Sequence, residues 1–319
     1  MSKKPKVGMW SGLTAVTAVL TAGAIVGTTV AFHYTTTVNN YLDADTYKII
    51  RGDSDEDTEY FKSDFTSDEE RESYEAELCA QVEAEGAALL KNDNNALPLA
   101  SGAKVSLFGH GSVDLMYGGT GSGSVDTSKA PNFKQALEDQ GIQVNSTLWD
   151  LYSSDDMMKN YSRITPAAIS DTLEANTQYA VNEAPWSKLS SAESSFADYG
   201  DAAIVVFSRS GGEGADLPSG ENGTNDSWIK GQEGDGNYLA LSAEEKELLQ
   251  NLKTLKDNGT FKKIIVLINS SNAIEMDFLN PEICGEDYGI DSAMWIGDVG
   301  QTGINGVAQL LSGEVTPSG

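Results

Sequence analysis

Ala202-Ala203-Ile204-Val205-Val206-Phe207 runs straight into Ser208-Arg209-Ser210-Gly211-Gly212-Glu213-Gly214-Ala215-Asp216-Leu217-Pro218. Strand and loop read as one unit. A continuous β-branched run of this length suits a strand buried on both faces, as in a parallel sheet. The glycines free the backbone for a turn, which sets Glu213 just past the strand's C-terminal end. Open α/β sheets place their ligand groups at that edge. Taken alone, Glu213 reads first as a solvated loop carboxylate, because glutamate is mostly an exposed residue.

Working outward, residues 104–108, 142–145, 262–268 and 292–296 are further strand runs, the last one weaker. Helical stretches separate them. Ser67-Asp68-Glu69-Glu70 has the Ser-x-x-Glu form of a capping box and predicts a helix from 67 to about 91, with Leu78, Val82, Leu89 and Leu90 as its apolar face. Pro131 opens a helix to about 140. Helices near 150–161 and 166–175 follow. Ser242-Ala243-Glu244-Glu245 is a second capping box, starting a helix to about 258, and 300–311 is helical. This alternation implies an α/β fold, a mostly parallel sheet covered by helices on both faces, an α/β/α sandwich.

Tyr117-Gly118-Gly119-Thr120-Gly121-Ser122-Gly123-Ser124-Val125 follows the strand at 104–108 and invites a phosphate-binding reading. The detail opposes it. The loop has no Lys-Ser/Thr pair for a P-loop, and the glycine spacing misses G-x-G-x-x-G directly after the strand. A structural or substrate-flanking loop fits better.

With 48 acidic against 21 basic residues, the net charge of -27 excludes the basic footprint that nucleic acid requires. It equally opposes electrostatic docking on anionic lipid. A neutral sugar would be indifferent to it. Cys79 and Cys284 are far apart in sequence, and one or two free buried thiols are expected over a disulfide, although an oxidising compartment would allow a disulfide. His33 and His110 are the two histidines, too few for a zinc-type cluster, and no cofactor or metal is expected.

Lys3, Lys4 and Lys6 precede a stretch, 7–32, without a charged residue. It is long enough to cross a membrane, and the lysines place its N-terminal side in the cytoplasm. A cleavable signal peptide competes, but the run is long for one and lacks a clean small-x-small site. The expected organisation is a basic tail at 1–6, a transmembrane helix at 7–32, a juxtamembrane linker at 33–66 and a folded domain at 67–319, held on the extracellular side of the cell membrane.

Several pieces occur together in one known family. Glu83-Ala84-Glu85-Gly86-Ala87-Ala88-Leu89-Leu90-Lys91-Asn92 with Leu97-Pro98-Leu99, then Gly118-Gly119-Thr120-Gly121-Ser122-Gly123, then Gly212-Glu213-Gly214-x-Asp216, then Leu241-Ser242, Val266-Leu267-Ile268-Asn269 and Gly313-Glu314-Val315-x-Pro317-Ser318-Gly319 stand in order. The chain resembles, over about 72–319, the α/β sandwich domain of the family 3 glycoside hydrolases, the β-glucosidase group. The resemblance implies retaining hydrolysis of O-glycosyl bonds in β-linked sugars. Two carboxylates flank the bond in that chemistry, one as acid/base and one as nucleophile. The family's acid/base falls by motif on Glu213, with Arg209 and Asp216 as supporting residues that orient the loop.

The family's nucleophile is an Asp on a (β/α)8 barrel, in a Ser-Asp-Trp-like context with a Lys-His pair nearby. Neither motif occurs here. A barrel also needs about 200 residues or more. The expectation is therefore the front part of a membrane-anchored member in which the sandwich precedes the barrel. Such a chain supplies the acid/base domain, requires the barrel as partner, and is inactive alone. The competing class is a non-catalytic, surface-anchored sugar-binding or scaffolding module. A nucleotide-binding domain rests only on glycines and a parallel sheet.

Overall fold

A computed structural model describes residues 7–42, 61–119, 121–164, 179–212 and 237–319. The chain divides into two compact units, Met1–Ser63 and Asp64–Gly319.

In the first unit, α1 spans Val7–His33 and α2 spans Thr35–Tyr41. Within α1, Trp10–His33 is long and apolar enough to cross a membrane, a test that a signal sequence near an N-terminus also meets. At about 1.5 Å per residue it exceeds the roughly 30 Å hydrocarbon core. Three of its hydroxyls are consumed internally: Thr14, Thr17 and Thr29 each donate to the carbonyl four residues back, on Trp10, Leu13 and Ile25, which satisfies those donors in an apolar medium.

The second unit is built on a six-stranded sheet among the described residues. Its strands are β1 (Ala88–Asn92), β2 (Lys104–Phe108), β3 (Gln143–Val144), β4 (Ala202–Ser208), β5 (Ile264–Asn269) and β6 (Ser292–Trp295). Their spatial order is β1-β6-β5-β4-β2-β3. All neighbours are parallel except edge strand β1, which runs antiparallel to β6 and bulges between Leu89 and Lys91. The helices are α3 (Asp68–Gly86), α4 (Phe133–Asp139), α5 (Ser146–Tyr152), α6 (Asp155–Asn160), α7 (Ala243–Asp257), α8 (Pro281–Cys284) and α9 (Ile304–Ser312).

Strand alternation divides the core into two layers. Ile204 and Val206 of β4 join Ala84 of α3, Phe133 and Leu137 of α4, and Ile304 and Val307 of α9. Ala203, Val205 and Phe207 face the other way, onto Leu148 of α5, Phe196, and Leu248 and Leu252 of α7. All seven residues of β4 are buried, as its unbroken apolar run requires. The expected α/β sandwich is thus present, with its sheet mixed through β1.

Several element boundaries differ from expectation. The helix begun at Ser67 stops at Gly86, and Leu89 and Leu90 belong to β1. Leu78 and Val82 do not form its buried face; they are 43% and 62% exposed. Small residues decide the packing instead. Ala80 and Ala84 are the buried positions, and Gly306 of α9 lies against the Ala80 carbonyl so tightly that a Cβ there would sit 2.1 Å from its oxygen. Close backbone approach outweighed the larger apolar side chains. Ser67 caps α3, but Glu70 reaches back to Thr66 rather than Ser67.

Asn132, not Pro131, stands at the N-cap of α4. The helix expected near 150–161 is two, α5 and α6, because Ser154 caps a second start. The helix expected near 166–175 lies outside the described residues. Gly300 has a positive φ of 62°, which delays α9 to Ile304. Cys79 and Cys284 are free and only partly buried.

Candidate functional site

Chain order and strand order together locate a crevice. After β2 the chain steps outward to β3, then returns to the other side of β2 as β4. Connections leaving the C-terminal ends of β2 and β4 therefore diverge, which opens a cleft where α/β sheets bind ligands. The segments that leave there start at Gly109, Arg209, Ser270 and Ile296.

The two glycine-rich stretches meet at this edge. A Cβ on Gly119 would lie 3.3 Å from the Gly211 carbonyl oxygen. The described chain ends at Gly212, one residue before Glu213. Glu213 and Asp216 lie outside the described residues, as do Thr120 and Gly214.

Arg209 is described in full. It is the largest fully buried side chain, at 0% exposure. Burying a guanidinium costs several kcal/mol unless its donors are satisfied, and here all five N–H groups are used. Nε donates to the Tyr238 carbonyl (2.7 Å). Nη1 donates to the Ser208 carbonyl (3.0 Å) and Glu245 Oε1 (2.7 Å). Nη2 donates to the Ala240 carbonyl (2.8 Å) and Glu245 Oε2 (2.7 Å). Burial alone would lower the guanidinium pKa; the facing Glu245 carboxylate overrides this and raises it. Tyr238, fully buried, also accepts from the Ser210 N–H through its hydroxyl at 2.9 Å.

Beside this fork lies a polar cluster drawn from three segments. Asp114 Oδ2 meets His110 Nε2 at 3.0 Å and Arg163 Nη2 at 3.2 Å. Arg163 Nη1 donates to the Asp114 carbonyl (2.7 Å) and to Ser208 Oγ (2.8 Å). Burial pushes the Asp114 carboxyl up, and His110 with Arg163 pull it further down, so it stays below its ordinary range. Behind them, Glu183 accepts from the His110 N–H (2.7 Å) and the Ala184 N–H (3.0 Å). Burial pushes Glu183 up to about 7, against the lowering effect of the His110 N–H.

Asn269 ends β5. Its side chain accepts from the Met116 N–H (2.6 Å) and donates to the carbonyls of Met116 (3.0 Å) and Gly297 (2.7 Å). The loops after β2 and β6 are thereby tied to one residue. Sequence reading found Arg209 and quoted Asn269, but read Glu245 only as a helix cap. Arg163, Glu183 and Tyr238 carry no local signal at all. Among the described residues, no group of three or more His, Cys, Asp or Glu is placed to hold a metal ion.

Residues 87–319 match the family model of the glycosyl hydrolase family 3 C-terminal domain. The chain belongs to this family. It is 30% identical over 246 residues to a β-glucosidase of Ruminococcus albus, covering 76% of this chain and 22% of that protein. It is also 30% identical over 260 residues to β-glucosidase A of Butyrivibrio fibrisolvens, covering 76% of this chain and 28% of that one. Among solved structures, a β-glucosidase from Paenibacillus barengoltzii superposes with a TM-score of 0.55 at 28% identity, over 76% of this chain and 23% of that one. The fold is shared with β-glucosidase 3B of Thermotoga neapolitana, at a TM-score of 0.54 and 23% identity over 77% of this chain and 30% of that one. The chain thus spans between a fifth and a third of these relatives' lengths, which carry further domains.

Proposed function

We propose that this chain supplies the acid/base half of a retaining β-glucosidase-like site, with Glu213 as the general acid/base. The observation that carries the reading is the placement of the Glu213 loop's root, Ser208 to Gly212, at the C-terminal edge of β4 beside the sheet's switch point. Arg209 orients that loop from beneath it, and Asp216 supports it from within.

In the proposed reaction, Glu213 gives its proton to the glycosidic oxygen as a carboxylate attacks the anomeric carbon, and the leaving sugar or aglycone departs as an alcohol. Glu213 then takes a proton from water, whose oxygen displaces the enzyme carboxylate. The attacking carboxylate comes from a (β/α)8 barrel domain, normally part of the same polypeptide. The substrate is a β-linked oligosaccharide or glycoside. The proposed organisation is a tail at 1–6, a membrane anchor at 7–32, a linker at 33–66 and the sandwich at 67–319 on the extracellular face.

Two assays test this. The purified chain should not turn over an aryl β-glucoside; turnover would refute the need for a separate barrel. In a polypeptide that joins the chain to a nucleophile-bearing barrel, Glu213→Ala should lower turnover by about 10²- to 10⁴-fold, and azide should partly restore it for good leaving groups. Unchanged turnover removes Glu213 from the mechanism and favours a sugar-binding module.

A further inference from the structure

The geometry points to Glu245, through its fork with Arg209, as the positioning residue of the loop that carries Glu213. This inference rests on the acid/base reading above but is carried by separate observations. Residues 211–236 form the connection between β4 and α7, and its two feet are Ser208–Ser210 and Tyr238–Ala240. Arg209 stands on the first foot and donates to two carbonyls of the second, on Tyr238 and Ala240. Tyr238 returns the tie, its hydroxyl accepting from the Ser210 N–H.

What holds the guanidinium in that pose is Glu245. Both carboxylate oxygens accept from Arg209, and Oε2 also accepts from the Ser242 N–H at 2.8 Å. The Glu245 N–H in turn donates to Ser242 Oγ at 3.1 Å. Glu245 is 1% exposed, so the pair works in a medium where a charge-assisted, two-pronged bond is strong and directional. One side chain therefore closes the N-terminus of α7 and fixes both feet of the connection. A capping box alone needs only the reciprocal bonds between Ser242 and Glu245; the second oxygen and the fork are surplus to it.

Two variants separate the roles. Glu245→Gln keeps a capping box, which glutamine also completes, but removes the charge and one acceptor from the fork. Ser242→Ala breaks the cap and leaves the fork intact. Hydrogen exchange on the full chain, read by mass spectrometry, should show amides at 209–212 and 237–241 exchanging about tenfold faster in Glu245→Gln, equivalent to about 1.4 kcal/mol. Strands β4 and β5 should keep their protection. Arg209→Lys, which keeps the charge without the fork, should loosen the same two segments. Ser242→Ala should speed exchange only in the first turn of α7. Equal protection of both feet in wild type and Glu245→Gln overturns the proposal, as does loosening spread evenly over the domain. Failure of the acid/base reading would appear elsewhere, as unaltered turnover in Glu213→Ala with the feet still coupled.

Discussion

Asn269 grips Met116 by both of its backbone groups, the carboxamide oxygen accepting from the N–H and the nitrogen donating to the carbonyl. The two residues are 153 positions apart. A third bond, to the Gly297 carbonyl, joins the exit of β6 to the same side chain. One carboxamide thus does for three strand ends what ladder bonds do within the sheet. It uses an acceptor and two donors, a combination that asparagine shares with glutamine alone.

Asn269→Ala should therefore cost more than its size suggests. It orphans the buried Met116 N–H and removes the donor from the Gly297 carbonyl, while the Met116 carbonyl keeps the Val299 N–H, at about 1–3 kcal/mol for each unsatisfied group. Asn269→Asp, nearly isosteric, should be no better, because a carboxylate oxygen would then face two carbonyls. Thermal unfolding of both variants checks this; an Asp variant matching wild type would refute the donor assignment.

Gly306→Ala should weaken the contact of α3 with α9. The added methyl would meet the backbone oxygen of Ala80, which cannot move aside as a side chain can. Overpacking of this kind costs about 1–3 kcal/mol. Gly86→Ala is the control. A Cβ there meets nothing within 4 Å, and its φ is not positive. It should be neutral or stabilise by about 0.4–1 kcal/mol through the unfolded chain.

Stability should fall as pH rises from about 4.5 to about 8. Burial, aided by the charge of Asp298, pushes Glu83 up to about 8, and burial pushes Glu183 up to about 7. Both native carboxyls hold protons that an unfolded chain, with carboxyls at 4.5, has released. Their stabilisation is complete below 4.5 and fades as pH climbs through about 7 and then about 8. Glu83 Oε1 has no hydrogen-bond partner among the described residues, so Glu83→Gln mimics the protonated acid without loss. It should flatten the decline of Tm between pH 4.5 and about 8. Each 1 kcal/mol recovered should appear as roughly 2–4 °C. A Gln variant with the same slope would remove Glu83 as its source.

Leu78 and Val82 should tolerate polar replacement. Both are exposed on α3, so Leu78→Lys with Val82→Lys should change stability by about 0.5 kcal/mol or less. A large loss of Tm would restore the apolar face expected from sequence.

The sequence alone determined the parts of this protein whose cause is local. Residues 202–207 read as a strand buried on both faces, because an unbroken apolar run has no polar side to offer water. Ser242 with Glu245 set the start of α7, since a capping box needs only two residues three positions apart. The ordered family pieces singled out the loop that follows Ser208 to Gly212, and strand order with parallel pairing then located that root at a sheet edge.

Tertiary structure decided whatever depends on a distant partner. Residues 88–92 carry leucines that extend the α3 pattern, yet pairing with β6 makes them a strand. Leu78 and Val82 lost the core to Ala80 and Ala84 because Gly306 let two backbones approach closely. Glu245 looked like a cap and nothing more until Arg209, 36 positions earlier, brought its fork to the other side of the carboxylate. Local spacing encodes caps and strand faces; it does not encode which buried charge will find which. That depends on where the sheet carries each residue, and on the cost of leaving either charge unpaired.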